Sequence, residues 1–288
     1  VTFDDDARID SSRVRRRRGR GAAIGGGGAV GVAIIVALIA QFTGVDLSGF
    51  VGGGTGGSGS SSDEQLTECQ TGEDANENVD CRVAGASDSL ETYWSGQVQN
   101  YRSTTVILFD DSVDTGCGGA TSAVGPFYCP ADELVYIDTG FYSELRTEYG
   151  ASGGPLAEMY VLAHEWGHHI QNVVGTSNGL DLQKTGPKSD SVRLELQADC
   201  YAGAWAGAAA TIADDTGTTF LEPLQKSDIA DALSAAAAVG DDRIQEQATG
   251  SVNREAWTHG SSESRQRWFT AGYESGPNSC DTFSVATP

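Results

Sequence analysis

At 288 residues the chain has room for one sizeable domain with appendages, or for two small domains. Its 40 acidic side chains outweigh 18 basic ones, for a formal charge of -22. A body this acidic excludes nucleic acid as a natural partner, because phosphate binding needs a clustered Lys/Arg surface.

The charge is uneven. Residues 1–20 carry seven Arg against four Asp, which leaves 11 basic and 36 acidic residues beyond them. This head is polar, shows no apolar periodicity and reads as a disordered, cytoplasmic Arg-rich tail. From Gly21 to Val45 no residue is charged and Ala29 to Ala40 is almost wholly aliphatic. With glycine tolerated in membrane helices, 21–45 reads as one transmembrane anchor. The positive-inside rule then puts the N-terminus in the cytoplasm and the rest outside the cell membrane. The rival is a cleaved signal peptide, but Gln41-Phe-Thr-Gly-Val-Asp-Leu47 offers no A-x-A site, and the uncleaved anchor is preferred. Residues 46–63, rich in Gly and Ser, read as a flexible linker. The folded part is expected over 64–288.

Six cysteines are present and none forms C-x-x-C, which argues against a zinc knuckle. An even number in an acidic domain reads as three disulfides in an oxidising compartment. Loop length favours Cys69 with Cys81 and Cys117 with Cys129, leaving Cys200 for Cys280.

Leu90 to Val98 reads as helix with Tyr93 and Trp94 in the core. Thr104 to Phe109, β-branched and aromatic, is a strand. A turn-rich stretch follows, and Glu133 to Asp138 is a second strand and a candidate hairpin partner of the first. An edge strand there could bind an extended peptide through main-chain hydrogen bonds. Phe141 to Tyr149 begins a helix that Gly150 to Pro155 breaks.

Next comes Met159-Tyr-Val-Leu-Ala-His-Glu-Trp-Gly-His-His-Ile-Gln171, which contains H-E-x-x-H. Residues four apart share one helix face, so His164 and His168 can reach one metal ion. Glu165 is turned about 100° from His164 and suits the role of general base toward a zinc-activated water, the zinc metalloprotease signature. Three of the four histidines lie in this segment, on a helix apolar nearly all round. Ionisable groups on such a helix need partners or a metal. His169 faces elsewhere and reads as structural.

A polar loop to about Ser189 leads to a second helix, Ser191 to Trp205, with Glu195 and Asp199 four apart among Leu194, Leu196, Ala198 and Ala202. A catalytic zinc takes three protein ligands and keeps a fourth position open. Glu195 is assigned to the metal and Asp199 to the far nitrogen of His164, with the swapped pair as the alternative. One Zn2+ per chain is expected.

H-E-x-x-H followed by a helix with E-x-x-x-D is the gluzincin pattern. Together with Glu195-Leu-Gln-Ala-Asp-Cys-Tyr-Ala-Gly203 it resembles the bacterial neutral zinc metallopeptidase family. Gly44-Val-Asp-Leu47, Gly125-Pro-Phe-Tyr-Cys-Pro-Ala-Asp132, Val239-Gly-Asp-Asp-Arg243 and Thr258-His-Gly-Ser-Ser262 with Arg265 and Trp268 extend the resemblance over nearly the whole chain. It implies a membrane-anchored, zincin-like peptidase with zinc on His164, His168 and Glu195.

Toward the C-terminus, Ala206 to Ile212 continues the second helix, Asp228 to Val239 is an Ala-rich helix, and Ser262 to Gly272 is a helix with Thr258 or Ser261 at its N-cap. Peptide hydrolysis also needs a donor to the oxyanion of the tetrahedral intermediate, for which His259, Tyr201 and Arg265 are candidates. The expected fold is α+β, mostly helical with a small sheet. The expected activity is zinc-dependent endopeptidase on a peptide or protein substrate. Two rival readings are a zinc-stabilised binding module of the envelope and a zinc amidase of cell-wall peptides. A structural zinc would be closed by a fourth ligand and would not require Glu165.

Overall fold

The computed structural model describes residues 1–17 and 63–288. Its strands are β1 (Val14–Arg17), β2 (Asp63–Gln65), β3 (Thr105–Phe109), β4 (Ser112–Thr115), β5 (Gly118–Thr121), β6 (Phe127–Cys129) and β7 (Leu134–Ile137). Its helices are α1 (Gly72–Glu77), α2 (Val79–Gln97), α3 (Phe141–Thr147), α4 (Pro155–Val174), α5 (Asp190–Ala208), α6 (Lys226–Ala238), α7 (Asp241–Thr249) and α8 (Ser262–Ser275). The architecture is α+β, with a five-stranded sheet in the order β2-β1-β3-β7-β6 and a separate β4-β5 hairpin.

Alternation along the strands divides the sheet. Val106, Leu108, Val135, Ile137 and Tyr128 face the helical core. Ile107, Phe109, Phe127 and Tyr136 face the other way, under Val113 and Ala120 of the β4-β5 hairpin. The Cys117–Cys129 disulfide ties that hairpin to β6. All three expected cysteine pairs are present, the others being Cys69–Cys81 and Cys200–Cys280.

The 104–109 and 133–138 segments are strands as expected, but they run parallel as neighbours. The hairpin partner of β7 is β6, which pairs with it antiparallel and forms the sheet edge beside α4. The helix expected at Leu90 starts earlier, at Val79. Asn78 caps it, and Val83, Leu90 and Trp94 carry its buried face back toward that start. The second metal-site helix gives way to a 3-10 turn over Ala209–Thr211, and α7 was not foreseen.

The largest departure is the N-terminus. Residues 1–17 are not a disordered tail but part of this body: Phe3, Ala7, Ile9 and Val14 are buried. β1 lies inside the sheet, parallel to β3 and antiparallel to β2. The Arg cluster finds its counter-charges on the acidic body, Arg13 with Glu91, Arg16 with Asp80 and Arg17 with Asp63. Arg17 and Asp63 are also paired across β1 and β2, so the ends of the two described stretches lie side by side in the sheet. The expected anchor and nearly all of the linker lie outside the described residues. Among the described residues no helix is long and apolar enough to cross a membrane.

Docking of this segment carries a pH signature. The Asp88 carboxylate accepts the Asp10 backbone N–H at 2.8 Å, and burial pushes its carboxyl up to about 6. Folding therefore favours the protonated form, and the parent loses stability as pH rises from the unfolded value, about 4, through about 6. Asp88→Asn keeps an acceptor without the charge. In urea unfolding it is expected to match the parent near pH 4 and to exceed it at pH 7.5 by about 1 kcal/mol, the roughly 3 kcal/mol of the full shift being reduced by solvent screening at this partly exposed site.

Candidate metal centre and active site

The site begins with α4. Pro155 sits in its first turn and Gly175, at φ 77°, ends it in the left-handed region. Every residue from Leu156 to Gln171 is buried, so the imidazoles of His164 and His168 point into protein. α5 begins at the N-cap Ser189, whose hydroxyl accepts the Val192 N–H, and crosses α4 where Gly167 meets Ala198. A Cβ at Gly167 would lie 2.9 Å from the Ala198 Cα, so glycine is what permits the approach that brings Glu195 to the histidines. α8 packs on the other side of α5 by the same device. A Cβ at Gly203 would lie 2.0 Å from the Phe269 carbonyl oxygen, and one at Gly272 would lie 1.9 Å from that of Cys200. That contact delivers Arg265.

Donor atoms of His164, His168 and Glu195 all lie within 4.8 Å of one another. Glu195 Oε2 is 3.2 Å from His164 Nε2 and Oε1 is 3.5 Å from His168 Nε2. Tetrahedral zinc with bonds of 2.0–2.1 Å needs donors about 3.3 Å apart, so this set fits the ion. The far ring nitrogens are engaged elsewhere. His168 Nδ1 lies 2.9 Å from Gln171 Oε1 and His164 Nδ1 lies 2.9 Å from Asp199 Oδ1. Such partners fix the tautomer that aims Nε2 at a metal. Of the two carboxylate assignments, the structure favours Glu195 at the metal side and Asp199 behind His164.

Charges inside this buried cluster are arranged to match. Burial lowers His168 to about 4 and keeps it a neutral donor. Although burial works against its charge, Glu195 is held below the usual carboxylate range by His168 and His164. For His164 burial is again the opposing effect, but the charge of Asp199 prevails and raises it to about 10. Without a metal, His164 holds a proton between Asp199 and Glu195, and a cation on Nε2 would replace it.

Asp199 is fully buried and shared. Arg265 Nε and Nη2 donate to its two oxygens at 2.8 and 2.9 Å, and the Tyr160 hydroxyl donates to Oδ1 at 2.5 Å. Against its own desolvation, Asp199 is held ionised chiefly by Arg265. Arg265 thus commits Nε and Nη2 to the support behind His164 and Nη1 to the Val239 carbonyl, although its side chain also reaches the cavity wall.

Glu165 lines the same cavity as the three donors. Burial pushes its carboxyl up to about 8, against the pull of the His164 charge and of the Tyr128 backbone N–H. That N–H belongs to edge strand β6. His259 also lines the cavity, together with Arg265. Its Nδ1 lies 2.9 Å from the Thr258 hydroxyl and 3.3 Å from Asp241 Oδ1. Asp241 Oδ2 meanwhile accepts the backbone N–H groups of Thr258, His259 and Gly260 at 2.7–2.8 Å. Burial opposes charge on His259, but the hydrogen bond to Asp241 raises it above the ordinary imidazole value. The third candidate donor, Tyr201, packs its ring edge-on against Trp94, 5.2 Å away, and is not part of the cavity wall. His169 is structural as expected, held between the Tyr128 hydroxyl and the Arg102 carbonyl.

Asp241, Gln171 and Tyr160 were not foreseen. Gln171, three residues after His168 on one helix face, was readable by spacing.

Residues 4–283 match the family model described as "Putative neutral zinc metallopeptidase". The chain belongs to that family. It is 53% identical over 223 residues to uncharacterized protein Rv2575 of Mycobacterium tuberculosis, covering 77% of this chain and 76% of that one. It is 36% identical over 258 residues to uncharacterized protein YpfJ of Escherichia coli K12, covering 88% and 85%. No solved structure matches. The family match runs through residues 4–17 as well as the metal helices, in keeping with an N-terminus that is part of the fold.

Proposed function

We propose that this protein is a zinc-dependent endopeptidase of zincin-like fold that hydrolyses peptide bonds with Glu165 as general base. The observation that carries the reading is the convergence of His164, His168 and Glu195 in a cavity that Glu165 also lines. Among the described residues three donors meet there and no fourth closes the set, as an open catalytic site requires and a structural one does not.

Zinc, when bound, supplies a Lewis acid that polarises the scissile carbonyl and acidifies water. The rest is done by side chains. Glu165 takes a proton from the attacking water and returns it to the leaving amine. His259, oriented by Asp241, is placed to donate to the developing oxyanion. Asp199 and Arg265 hold His164 in register. Edge strand β6, whose Tyr128 N–H reaches Glu165, is the surface along which an extended peptide would lie.

Three disulfides suit an oxidising compartment, so the domain is assigned to the outside of the cell membrane, with residues 21–45 as its attachment. Pairing of Arg17 with Asp63 supports keeping residues 1–17 on the domain's side of the membrane rather than in the cytoplasm.

The test is hydrolysis of a quenched mixed-peptide library by the oxidised protein, with metal content determined. One zinc per chain is expected, with cleavage that a chelator abolishes and added zinc restores. Folded, oxidised protein that takes up no zinc, or zinc-loaded protein that cleaves nothing, overturns the proposal.

A further inference from the structure

Gln171, the partner of His168, is itself held from behind. Its Nε2 carries two hydrogens and both are taken, one by the Leu194 carbonyl at 2.7 Å and one by Gln197 Oε1 at 3.1 Å. Gln197 Nε2 in turn donates to the Cys280 carbonyl at 3.0 Å. His168, Gln171, Gln197 and Cys280 are all buried, so these groups must satisfy one another. The chain of bonds has one direction. A carbonyl can only accept, so Cys280 turns the Gln197 amide nitrogen toward itself and leaves Oε1 facing Gln171. Gln171 must meet that oxygen with Nε2, which leaves its own Oε1 for His168 Nδ1, 2.9 Å away. Nδ1 then carries the proton, and Nε2 keeps the lone pair on the side of Glu195.

The Cys280 carbonyl is placed by the segment that follows α8. The Cys200–Cys280 disulfide fastens it to α5. Arg193 donates to the carbonyls of Thr282 and Val285, and the Thr282 hydroxyl donates to the Arg193 carbonyl at 2.7 Å. Arg193, Gln197 and Cys200 are four and three residues apart and share one face of α5. Glu195 and Asp199 lie on the roughly opposite face.

Resting on the metal reading of the cluster but not on peptide hydrolysis, we propose that Gln197, with the disulfide that holds its acceptor, is a positioning residue for His168. Affinity for zinc then depends on a covalent tie on the far side of α5. Partners behind a metal ligand tune affinity by about 10- to 100-fold. Because the Leu194 carbonyl still holds one Gln171 hydrogen when Gln197 is lost, the low end of that range is expected.

The experiment uses the full oxidised chain, with zinc alone as the probe in competition with a chromophoric chelator. A second readout is the ring nitrogen NMR of His168 in the metal-free protein. Gln197→Met keeps the length of the side chain and loses both hydrogen bonds. It should weaken zinc binding about 10-fold and release His168 from the single Nδ1–H tautomer of the parent. Cys200→Ala with Cys280→Ala should weaken zinc to a similar degree. Combined with Gln197→Met the loss should stay near 10-fold rather than reach about 100-fold, because both changes cut one chain of bonds. Cys69→Ala with Cys81→Ala removes a disulfide between the turn before α1 and the start of α2, and should lower stability in urea without moving zinc affinity. Should Gln197→Met fold poorly, the Cys200 and Cys280 pair against this control decides alone. Zinc affinity within about 3-fold of the parent in the variants of the Gln197 chain, or an equal loss in the control, overturns the proposal. A parent that binds no zinc removes the metal reading instead. The tautomer then decides the role of Gln197: a mixture in Gln197→Met supports positioning of His168, and an unchanged Nδ1–H overturns it.

Discussion

Glu165→Gln is expected to keep one zinc per chain and to lose about 10³-fold in kcat, equivalent to about 4 kcal/mol of transition-state stabilisation. The replacement is close to isosteric and its carbonyl oxygen can still accept the Tyr128 N–H that meets Glu165. What it cannot do is accept a proton from water and hand it to the leaving nitrogen. Since Glu165 is not one of the three converging donors, metal content should be unchanged. Retention of zinc is what separates lost chemistry from lost architecture. His168→Ala removes a donor instead, and should lose zinc and activity together. His259→Gln should fall between the parent and Glu165→Gln, at about 10² in kcat, the effect of deleting one oxyanion donor. Zinc-loaded Glu165→Gln that cleaves peptides within 10-fold of the parent would remove this residue from the mechanism; the readouts are steady-state kinetics and metal analysis on the same preparation.

What could be read from residues alone was set by the range of the interactions. The i, i+4 spacings of His164 with His168 and of Glu195 with Asp199 place each pair on one helix face whatever the helices pack against, so both halves of the metal cluster were visible. Chemistry asked for one carboxylate at the metal and one at the back of an imidazole but left their order open; that Glu195 lies beside both Nε2 atoms and Asp199 at His164 Nδ1 comes from how the helices pack. The short disulfide loops were legible for a similar reason, being local. β1 was not legible. Val14-Arg-Arg-Arg17 has no apolar alternation, and its strand conformation comes from β3 and β2 and from ion pairs with Asp80 and Asp63. An Arg cluster facing a membrane and one facing an acidic sheet look the same in sequence. Asp241 was hidden for another reason. Its partners are three main-chain N–H groups from Thr258 to Gly260, and backbone donors leave no mark in a sequence.

Arg265→Met tests whether the support behind His164 is as costly as its burial implies. Arg265 is 3% exposed and Asp199 is fully buried, and the pair is bidentate. Truncating the cation leaves a carboxylate with only the Tyr160 hydroxyl and His164 for company, and breaking a buried pair from one side costs about 3–5 kcal/mol. Urea unfolding of chelated, oxidised protein should show that loss. A triple variant, Tyr160→Phe with Asp199→Leu and Arg265→Met, removes the charges and their hydroxyl partner together. Apolar replacement of a whole buried network is often neutral, so most of the stability should return. Zinc affinity should not return with it. His164 would have no acceptor behind Nδ1, and losing such a partner typically weakens metal binding by about 10- to 100-fold. Stability restored alongside full zinc affinity would mean that Asp199 serves only the fold; stability restored with weakened zinc binding assigns it to the metal.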